Sequence, residues 1–150
     1  MNNEPSPQNG AEEPLLLSAA YVIMRKHTER ALVPWNLTVT QALTLGILDG
    51  MKSPIMVSRL ARLLIQESPS TSTLVDRMVE RGLVDRLPDP KDRRKALIKL
   101  TRKGRSLLNE VRPHLRTATE ELFQPLSKDQ RTNLTDVLRA FRDANIRRIN

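Results

Sequence analysis

Residues 92–104 read DRRKALIKLTRKG, and this basic stretch decides the fold that the sequence predicts. Its centre alternates like a β-strand, and Thr101 followed three residues later by Gly104 is typical of a helix N-cap and first turn. Just upstream, residues 83–87 (LVDRL) alternate in the same way, and Pro88-Asp89-Pro90 supplies turn chemistry between the two segments. The sequence therefore predicts a β-hairpin that leads directly into a helix.

Positive charge is concentrated in this hairpin. From Arg86 to Arg105 the chain carries nine Lys or Arg residues and two Asp residues, a net charge of +7, whereas the whole chain has a formal net charge of +8. Net charge alone favours a polyanionic partner without identifying it. A two-stranded ribbon with this charge beside a pair of helices is more specific, and it favours contact with a DNA backbone.

The composition excludes several classes of protein. Without cysteine the chain can form no disulfide, no thiolate zinc site and no cysteine redox sensor. His27 and His114 are far apart and lack ligand spacing, so neither a metal site nor a cofactor is expected. The sequence shows no glycine-rich phosphate loop and no recognisable nucleophile arrangement, so we expect no catalytic residues and no enzyme activity.

The hydropathy of the sequence indicates a cytoplasmic protein with no membrane partner. No apolar run approaches the ~20 residues that a membrane span needs, and no charged leader precedes an apolar segment. Residues 1–13 are polar and contain Pro and Gly, so we expect a disordered tail there. Residues 14–36 hold the first predicted helix, which Pro34 ends.

The middle of the chain predicts a helix-turn-helix unit. Thr38 with Gln41 fits a capping box for a helix that runs to Gly50, and residues 56–65 form the next helix. The following helix is predicted to begin with Ser68 as N-cap and Pro69 at the first helical position. It should end at Arg81-Gly82, where glycine allows a left-handed stop. The hairpin follows as a wing, so a winged helix-turn-helix domain is expected at residues 37–101.

Residues 102–150 are predicted to form two further helices. Pro113 interrupts the first helix, but the apolar pattern continues past it, so we expect a kink rather than a stop. Ser127 is predicted to cap the last helix. A single chain would leave the apolar faces of both helices uncovered, and we interpret them as a dimer core. These faces comprise Leu108, Val111 and Leu115 in one helix and Leu134, Val137, Leu138 and Phe141 in the other.

This order of elements resembles the MarR family of bacterial transcription regulators over residues 14–150. The resemblance rests on Leu37-Thr38 with Gln41, on Leu74-Val75-Asp76-Arg77-Met78 leading into Arg81-Gly82-Leu83-Val84, and on the wing pattern D-x-R-x-x-x-I-x-L-T-x-x-G. The wing pattern is filled by Asp92, Arg94, Ile98, Leu100, Thr101 and Gly104. A bare helix-turn-helix pattern has many false matches, whereas this extended wing pattern in its expected context has few.

The resemblance implies a mainly α fold with a small β-wing, in the order α-α-β-α-α-β-β-α-α. It implies a homodimer in which the first helix (14–36) and the C-terminal helices (102–150) form a dimerisation platform that carries two winged lobes. Double-stranded DNA is the implied partner. The expected function is a sequence-specific repressor that a small, often aromatic or anionic, effector releases from a pseudo-palindromic operator. An effector-independent or architectural DNA-binding regulator is the alternative.

The predicted winged helix-turn-helix domain indicates which residues contact DNA. Hydroxyl groups bond phosphates or base edges, and Arg77 can reach a guanine. An acidic group facing phosphate would be repelled, so Asp92 is expected to shape the wing instead. The predicted DNA-binding residues are Ser70, Ser72, Thr73, Asp76, Arg77, Arg86, Lys91, Arg93, Arg94 and Lys95.

Four residues on or just after the first helix are candidates for an effector site, namely Tyr21, Met24, His27 and Trp35. The resemblance places the effector cavity there. Arg25 and Arg30 nearby could neutralise a carboxylate, so an aromatic acid fits these groups best. A lone Trp is more often a packing residue of the core or dimer interface than a ligand contact, and His27 is also open to a role at the interface.

Overall fold

A computed structural model describes residues 12–51, 53–92 and 95–149. Within these residues the chain is mainly helical with one small sheet, and the predicted order of helices and strands is confirmed. The helical elements are α1 (Glu12–Leu32), a 3-10 turn (Val33–Trp35), α2 (Val39–Gly50), α3 (Val57–Leu64), α4 (Ser68–Glu80), α5 (Arg102–Phe123) and α6 (Lys128–Ile149). The strands are β1 (Ile55–Met56), β2 (Val84–Pro88) and β3 (Ala96–Leu100).

The first helix begins earlier than the sequence predicts. α1 starts at Glu12, so the predicted tail of residues 1–13 ends two residues too late, and residues 1–11 lie outside the described part of the chain. Two acidic residues lie in its first turn, where the positive end of the helix dipole stabilises carboxylates. Pro34 lies in the 3-10 turn that follows. Asn36, the residue directly after the turn, has a φ of 49°, a left-handed conformation that asparagine tolerates.

Side-chain caps start α2 and α5 at the predicted residues. The Gln41 backbone N–H donates to Thr38 Oγ1 at 3.2 Å, and the Thr38 backbone N–H donates to Gln41 Oε1 at 3.0 Å. At α5, Thr101 Oγ1 accepts from the Gly104 backbone N–H at 2.9 Å. These bonds satisfy N–H groups that have no partner inside a helix, so both helix starts are encoded by residues three positions apart.

The predicted cap of α4 is wrong by one residue. Glu67 holds the extended N-cap position without a side-chain cap bond, and Ser68 is the first helical residue. Pro69 therefore takes the second helical position, which is tolerated because the N–H groups of the first turn have no partner within the helix. Beyond the helix, Gly82 has a φ of 68°, the left-handed stop that the sequence predicts.

The sheet has the strand order β1-β3-β2, and both pairs are antiparallel. Ile98 on β3 pairs with Ile55 on β1. The wing formed by β2 and β3 is therefore joined to the strand that directly precedes α3. At the base of the wing, Gly104 lies so close to Leu83 that any Cβ at this glycine would overlap the Leu83 carbonyl oxygen. The wing is therefore seated directly on the first turn of α5.

The core of the winged lobe extends into α5. Leu108 is 4% exposed and Val111 is fully buried, and this face of α5 packs against α1 and α2 of the same chain. The prediction that Leu108 and Val111 belong to the dimer face is therefore wrong, since α1 and α2 of the same chain cover them. Leu115 is only partly buried. The other main core residues are Leu32, Leu45, Leu60, Val75, Met78, Leu83 and Ile98.

The C-terminal helices present an uncovered apolar face. α5 continues through Pro113, and Ser127 caps α6 as predicted, with Ser127 Oγ accepting from the Gln130 N–H at 3.2 Å. The predicted apolar face of α6 is exposed in the single chain, with Leu134 at 37%, Leu138 at 43%, Phe141 at 55% and Val137 at 65%. Several apolar side chains of α1 are exposed as well.

No single helix in the described ranges is both long and apolar enough to cross a membrane. One pair, Glu12–Trp35 with Val39–Gly50, meets the requirement of length and composition only when joined, and the two parts are bent by 80°.

Candidate nucleic-acid interface

α4 is the second helix of the helix-turn-helix unit, and we call it the recognition helix. It has one buried face and two exposed flanks. Thr71, Val75 and Met78 are buried in the lobe core. On one flank, Ser70, Thr73 and Arg77 are three and four residues apart and therefore lie side by side. All three are exposed, so this flank presents two hydroxyls and a guanidinium to the outside of the lobe.

The other flank of α4 is bonded to the wing. Arg86 on β2 places Nη2 2.9 Å from Asp76 Oδ1, and the same nitrogen donates to Ser72 Oγ at 3.3 Å. The sequence predicts these three residues as separate DNA contacts, whereas the structure brings them together. The charges of Arg86 and Asp76 offset each other, so this part of the predicted site is a link between wing and helix.

A second set of contacts closes the tip of the wing. The Asp89 N–H donates to the Lys95 carbonyl at 3.1 Å, and the Lys95 N–H donates to the Asp92 carbonyl at 2.9 Å. The Asp92 carboxylate lies 3.4 Å from Lys95 Nζ. Lys91 and Lys95 are exposed here, whereas Arg93 and Arg94 lie outside the described residues. The described part of the tip thus combines exposed ammonium groups with an aspartate bonded into the turn.

Arg81 anchors the C-terminal end of the recognition helix, and sequence reasoning missed this residue. Its guanidinium donates to the carbonyls of Asn36 at 2.7 Å and Trp35 at 3.1 Å, and to Gln41 Oε1 at 3.3 Å. Lys103 Nζ in turn donates to the Arg81 carbonyl at 2.8 Å. The end of α4 is therefore bonded both to the α1–α2 junction and to the start of α5. These partners lie far away in sequence, so no local pattern indicates them.

The predicted effector residues do not form one site. Tyr21 and Met24 line a groove of about 800 Å³ between α1, the start of α2 and the exposed flank of α4. His27 and Trp35 do not line this groove. His27 Nε2 lies 3.6 Å from Glu121 Oε2, and the Trp35 ring packs on His114 with ring centroids 4.7 Å apart. The structure therefore separates two groove residues from two residues that pack on α5.

An ion-pair cluster joins α2 to α5. Asp49 accepts a hydrogen bond from Arg105 at 2.6 Å and another from Arg112 at 2.8 Å. The hydrogen bond from Arg112, with the positive charges of both arginines, holds the pKa of Asp49 below its usual value against the opposing effect of burial. The carboxylate is therefore the stable form of this side chain in the folded chain.

Metal binding has no support in the described ranges, where no three His, Cys, Asp or Glu side chains are grouped so as to hold an ion. The geometry instead combines an exposed helix flank, a basic wing and a helical platform. Together these features define a winged-helix DNA-binding protein.

Comparison with known proteins shows a similarity to the MarR family. The model of the MarR family matches residues 35–95, which span the helix-turn-helix and most of the wing. The chain is 26% identical over 125 residues to the HTH-type transcriptional regulator MhqR of Bacillus subtilis strain 168, covering 83% of this chain and 86% of that protein.

Solved structures show the same fold over nearly the whole chain. A MarR-family regulator from Rhodococcus sp. RHA1 superposes with a TM-score of 0.82 at 26% identity, covering 91% of this chain and 96% of that one. BpsR of Bordetella bronchiseptica, whose DNA binding is regulated by 6-hydroxynicotinic acid, superposes with a TM-score of 0.80 at 25% identity, covering 87% and 98%. The chain is therefore similar to MarR-family transcriptional regulators, in sequence over residues 35–95 and in fold over most of its length.

Proposed function

We propose that the protein is a homodimeric repressor that binds a pseudo-palindromic DNA operator and is released from it by an aromatic acid. The observation that carries the DNA-binding part is the exposed flank of α4 beside a basic wing. Two such lobes related by a two-fold axis would place their recognition helices in successive major grooves. As chromosomal DNA is its partner, the protein acts in the cytoplasm.

The DNA contacts divide by chemistry. Arg77 reads a base in the major groove, because a guanidinium can bond guanine O6 and N7 together. Ser70 and Thr73 contact phosphates or base edges from the same flank. The wing cations bind phosphates or enter the minor groove, with Lys91 and Lys95 joined by Arg93 and Arg94. Ser72, Asp76 and Arg86 hold the wing against the helix and contribute to binding through that link.

The dimer is supported by the exposed apolar faces of the platform helices. Val137 and Phe141 on α6 are more than half exposed in the single chain, as are Leu15, Leu16 and Ile23 on α1. Exposed apolar side chains on these two helices are unfavourable in water, and a second copy of the chain would cover them. The last two helices and α1 therefore form the platform of the proposed dimer.

The effector is proposed to enter the groove lined by Tyr21 and Met24. This groove joins apolar side chains to the guanidinium of Arg25, which lies 3.7 Å from the carboxylate of Glu29 in the same groove, so an aromatic acid would have to take the place of Glu29 at Arg25. The likeness to BpsR supports this ligand class, since 6-hydroxynicotinic acid is an aromatic acid that regulates DNA binding by that protein. His27 and Trp35 face other partners, and we propose no direct ligand contact for them.

Selection of DNA by the full chain tests this function. Duplexes recovered from a random-sequence library should contain inverted half-sites whose centres are about 10 bp apart. Affinity for the recovered duplex should fall steeply with salt, and Lys91→Ala or Lys95→Ala should lower the slope by about one unit each. Recovery of duplexes without a two-fold pattern would argue against the dimeric reader.

Release of the recovered duplex by aromatic acids tests the effector separately. 6-Hydroxynicotinic acid and salicylic acid are suitable probes, and binding to the DNA-free protein can be followed by calorimetry. Tyr21→Ala and Met24→Ala should weaken both ligand binding and release, whereas His27→Ala should leave both unchanged. An effector-independent regulator would bind neither probe and would stay on DNA.

A further inference from the structure

The carboxylate of Asp49 is divided between two arginines of α5. Asp49 lies in the last turn of α2, and its side chain is 18% exposed. Its Oδ1 accepts from Arg105 Nη1 at 2.6 Å, and its Oδ2 accepts from Arg112 Nη2 at 2.8 Å. Both oxygens are thus directed to a single neighbouring helix, at two different heights along it.

Neither Asp49 nor Arg105 has a favourable interaction with the dipole of the helix that carries it. A carboxylate near the C-terminal end of α2 meets the negative end of the helix dipole, and a guanidinium in the first turns of α5 meets the positive end. Each charge therefore opposes the dipole of its own helix. The bond between the two helices, rather than the local stability of either one, accounts for these residue types at these positions.

Two attachment points define the direction of a helix, which a single apolar contact does not. Arg105 and Arg112 are seven residues apart, about 10.5 Å along the helix axis. Leu108 lies between them and packs into the lobe core. Burial of Leu108 is favourable in many orientations because apolar contact is not directional. Charge-assisted bonds on either side of it resist rotation and sliding of α5 on α2.

The second attachment point lies directly before Pro113. Proline has no N–H, so the helical bond from residue 113 to the Asn109 carbonyl cannot form, and helices bend most readily at such positions. Beyond this point α5 contacts α1, where Glu121 Oε2 lies 3.6 Å from His27 Nε2. The half of α5 before Pro113 is thus bonded to the lobe through Asp49, and the half after it contacts α1 near His27.

We propose that Asp49 is a positioning residue that fixes the winged lobe on α5 and thereby sets the distance between the two recognition helices of the dimer. The inference rests on the proposed dimer, because a distance between lobes exists only there. Asp49 itself contacts no DNA in this scheme. Its effect on DNA binding arises because two helices must reach two grooves at a defined spacing.

The distance between lobes can be measured directly because the chain has no cysteine. A nitroxide attached at Ser58→Cys, on the exposed surface of α3, labels each lobe once. Double electron–electron resonance on the labelled full-length dimer should give one narrow distance distribution. Asp49→Asn keeps the size of the side chain but removes its charge, and it should broaden the distribution roughly two-fold. Asp49→Glu, which restores a carboxylate, should bring back a narrow distribution.

Asp136→Asn is the matched control, since Asp136 pairs with Arg139 on the exposed surface of α6, at 3.6 Å. It should leave the distribution unchanged. On duplexes, Asp49→Asn should accept altered half-site spacings that the parent rejects, while its affinity for a single half-site stays within about two-fold. A general loss of fold would lower both affinities together.

Equal distance distributions for Asp49→Asn and the parent would overturn the positioning role while leaving the dimer intact. Absence of a dipolar signal in the parent would instead overturn the dimer, and the inference with it. If Asp49→Asn does not fold, Arg105→Gln and Arg112→Gln each remove one attachment point, and each should broaden the distribution. Unchanged distributions in both of these variants would equally refute the role.

Discussion

Arg86 on the wing and Asp76 on the recognition helix form an ion pair with 2.9 Å between Nη2 and Oδ1. This pair joins the two elements that flank the proposed DNA surface. It also masks the one acidic side chain among the predicted contacts of α4. A basic residue in a DNA-binding region can thus act by neutralising an acidic neighbour, with no phosphate contact of its own.

The double-mutant behaviour of this pair distinguishes the two roles. Arg86→Gln leaves Asp76 unpaired beside the proposed phosphate positions and should weaken binding to the selected duplex by about 1–2 kcal/mol. Adding Asp76→Asn removes the repulsion and should recover much of that loss. Fluorescence anisotropy with labelled duplex measures both variants. If the double variant bound no better than Arg86→Gln, Arg86 would be acting as an independent phosphate ligand.

Arg77 should determine discrimination at one base pair. Its guanidinium is exposed on the free flank of α4, beside Ser70 and Thr73. Arg77→Ala should cost about 1–3 kcal/mol on the selected duplex and much less on a duplex changed at the contacted base pair. Arg77→Lys, which keeps the charge but lacks the planar fork, should restore affinity more than discrimination. An equal loss on every duplex would assign Arg77 to phosphate anchoring.

Placing a charge on α6 should separate the dimer without unfolding the lobe. Leu138 is 43% exposed in the single chain, and α6 contributes no residue to the buried core within the described ranges. Leu138→Asp should therefore yield a folded monomer in sedimentation analysis. Leu108→Asp is the contrasting control, because Leu108 is 4% exposed and its replacement by a charge should unfold the lobe. A dimeric Leu138→Asp variant would exclude this face from the interface.

Acid should remove the stabilising effect of the Asp49 cluster. Arg112 and Arg105 hold the pKa of Asp49 below its usual value, so the folded chain binds this proton less readily than the unfolded chain does. The contribution is therefore complete above the unfolded pKa of about 3.9 and is lost as pH falls through the lower folded value. Because both arginines are more than half exposed, it should not exceed about 1 kcal/mol.

Urea unfolding from pH 3 to pH 7 measures this contribution. The difference in unfolding free energy between the parent and Asp49→Asn should be constant above about pH 5 and should shrink below about pH 4. Asp49→Glu keeps an ionisable carboxyl group, so its unfolding free energy should fall in acid as that of the parent does. A difference that stays constant through the acid range would show that the carboxylate form of Asp49 is not what stabilises the fold.

The fold was predictable because its signals are local. The caps at Thr38 and Thr101 depend on residues three positions apart, and the stop at Gly82 depends on one residue. The cap of α4 was misplaced because Pro69 is tolerated at more than one position of a first turn. Residue types and spacing thus fixed the elements to within a residue or two.

The contacts between elements were not predictable in the same way. Arg81 bonds to partners 40 to 46 positions away, and Asp49 to partners 56 and 63 positions away. No periodic pattern in the sequence indicates pairs that lie so far apart along the chain. The one available signal was the position of Asp49 at the unfavourable end of its helix. Leu108 was assigned to the wrong interface for the same reason, since an apolar stripe does not indicate which surface covers it.

Ile65 in the turn before the recognition helix should be the site of a stabilising substitution. Its φ of 54° and ψ of 49° place a β-branched residue in the left-handed region, which costs about 1–2 kcal/mol. Its side chain is 50% exposed, so little packing is lost on its removal. Glycine relieves the strain but adds entropy to the unfolded chain. Ile65→Gly should therefore raise the unfolding free energy by about 0.5–1 kcal/mol.

Chemical denaturation gives this difference, and Asn36→Gly is the control. Asn36 has nearly the same backbone conformation, with a φ of 49°, but asparagine already tolerates it. Asn36→Gly should therefore not raise the unfolding free energy, because glycine adds entropy to the unfolded chain and relieves no strain at this position. A gain at both positions would indicate that left-handed strain is not specific to Ile65. A loss at Ile65 would mean that its half-exposed side chain contributes more to packing than the backbone strain costs.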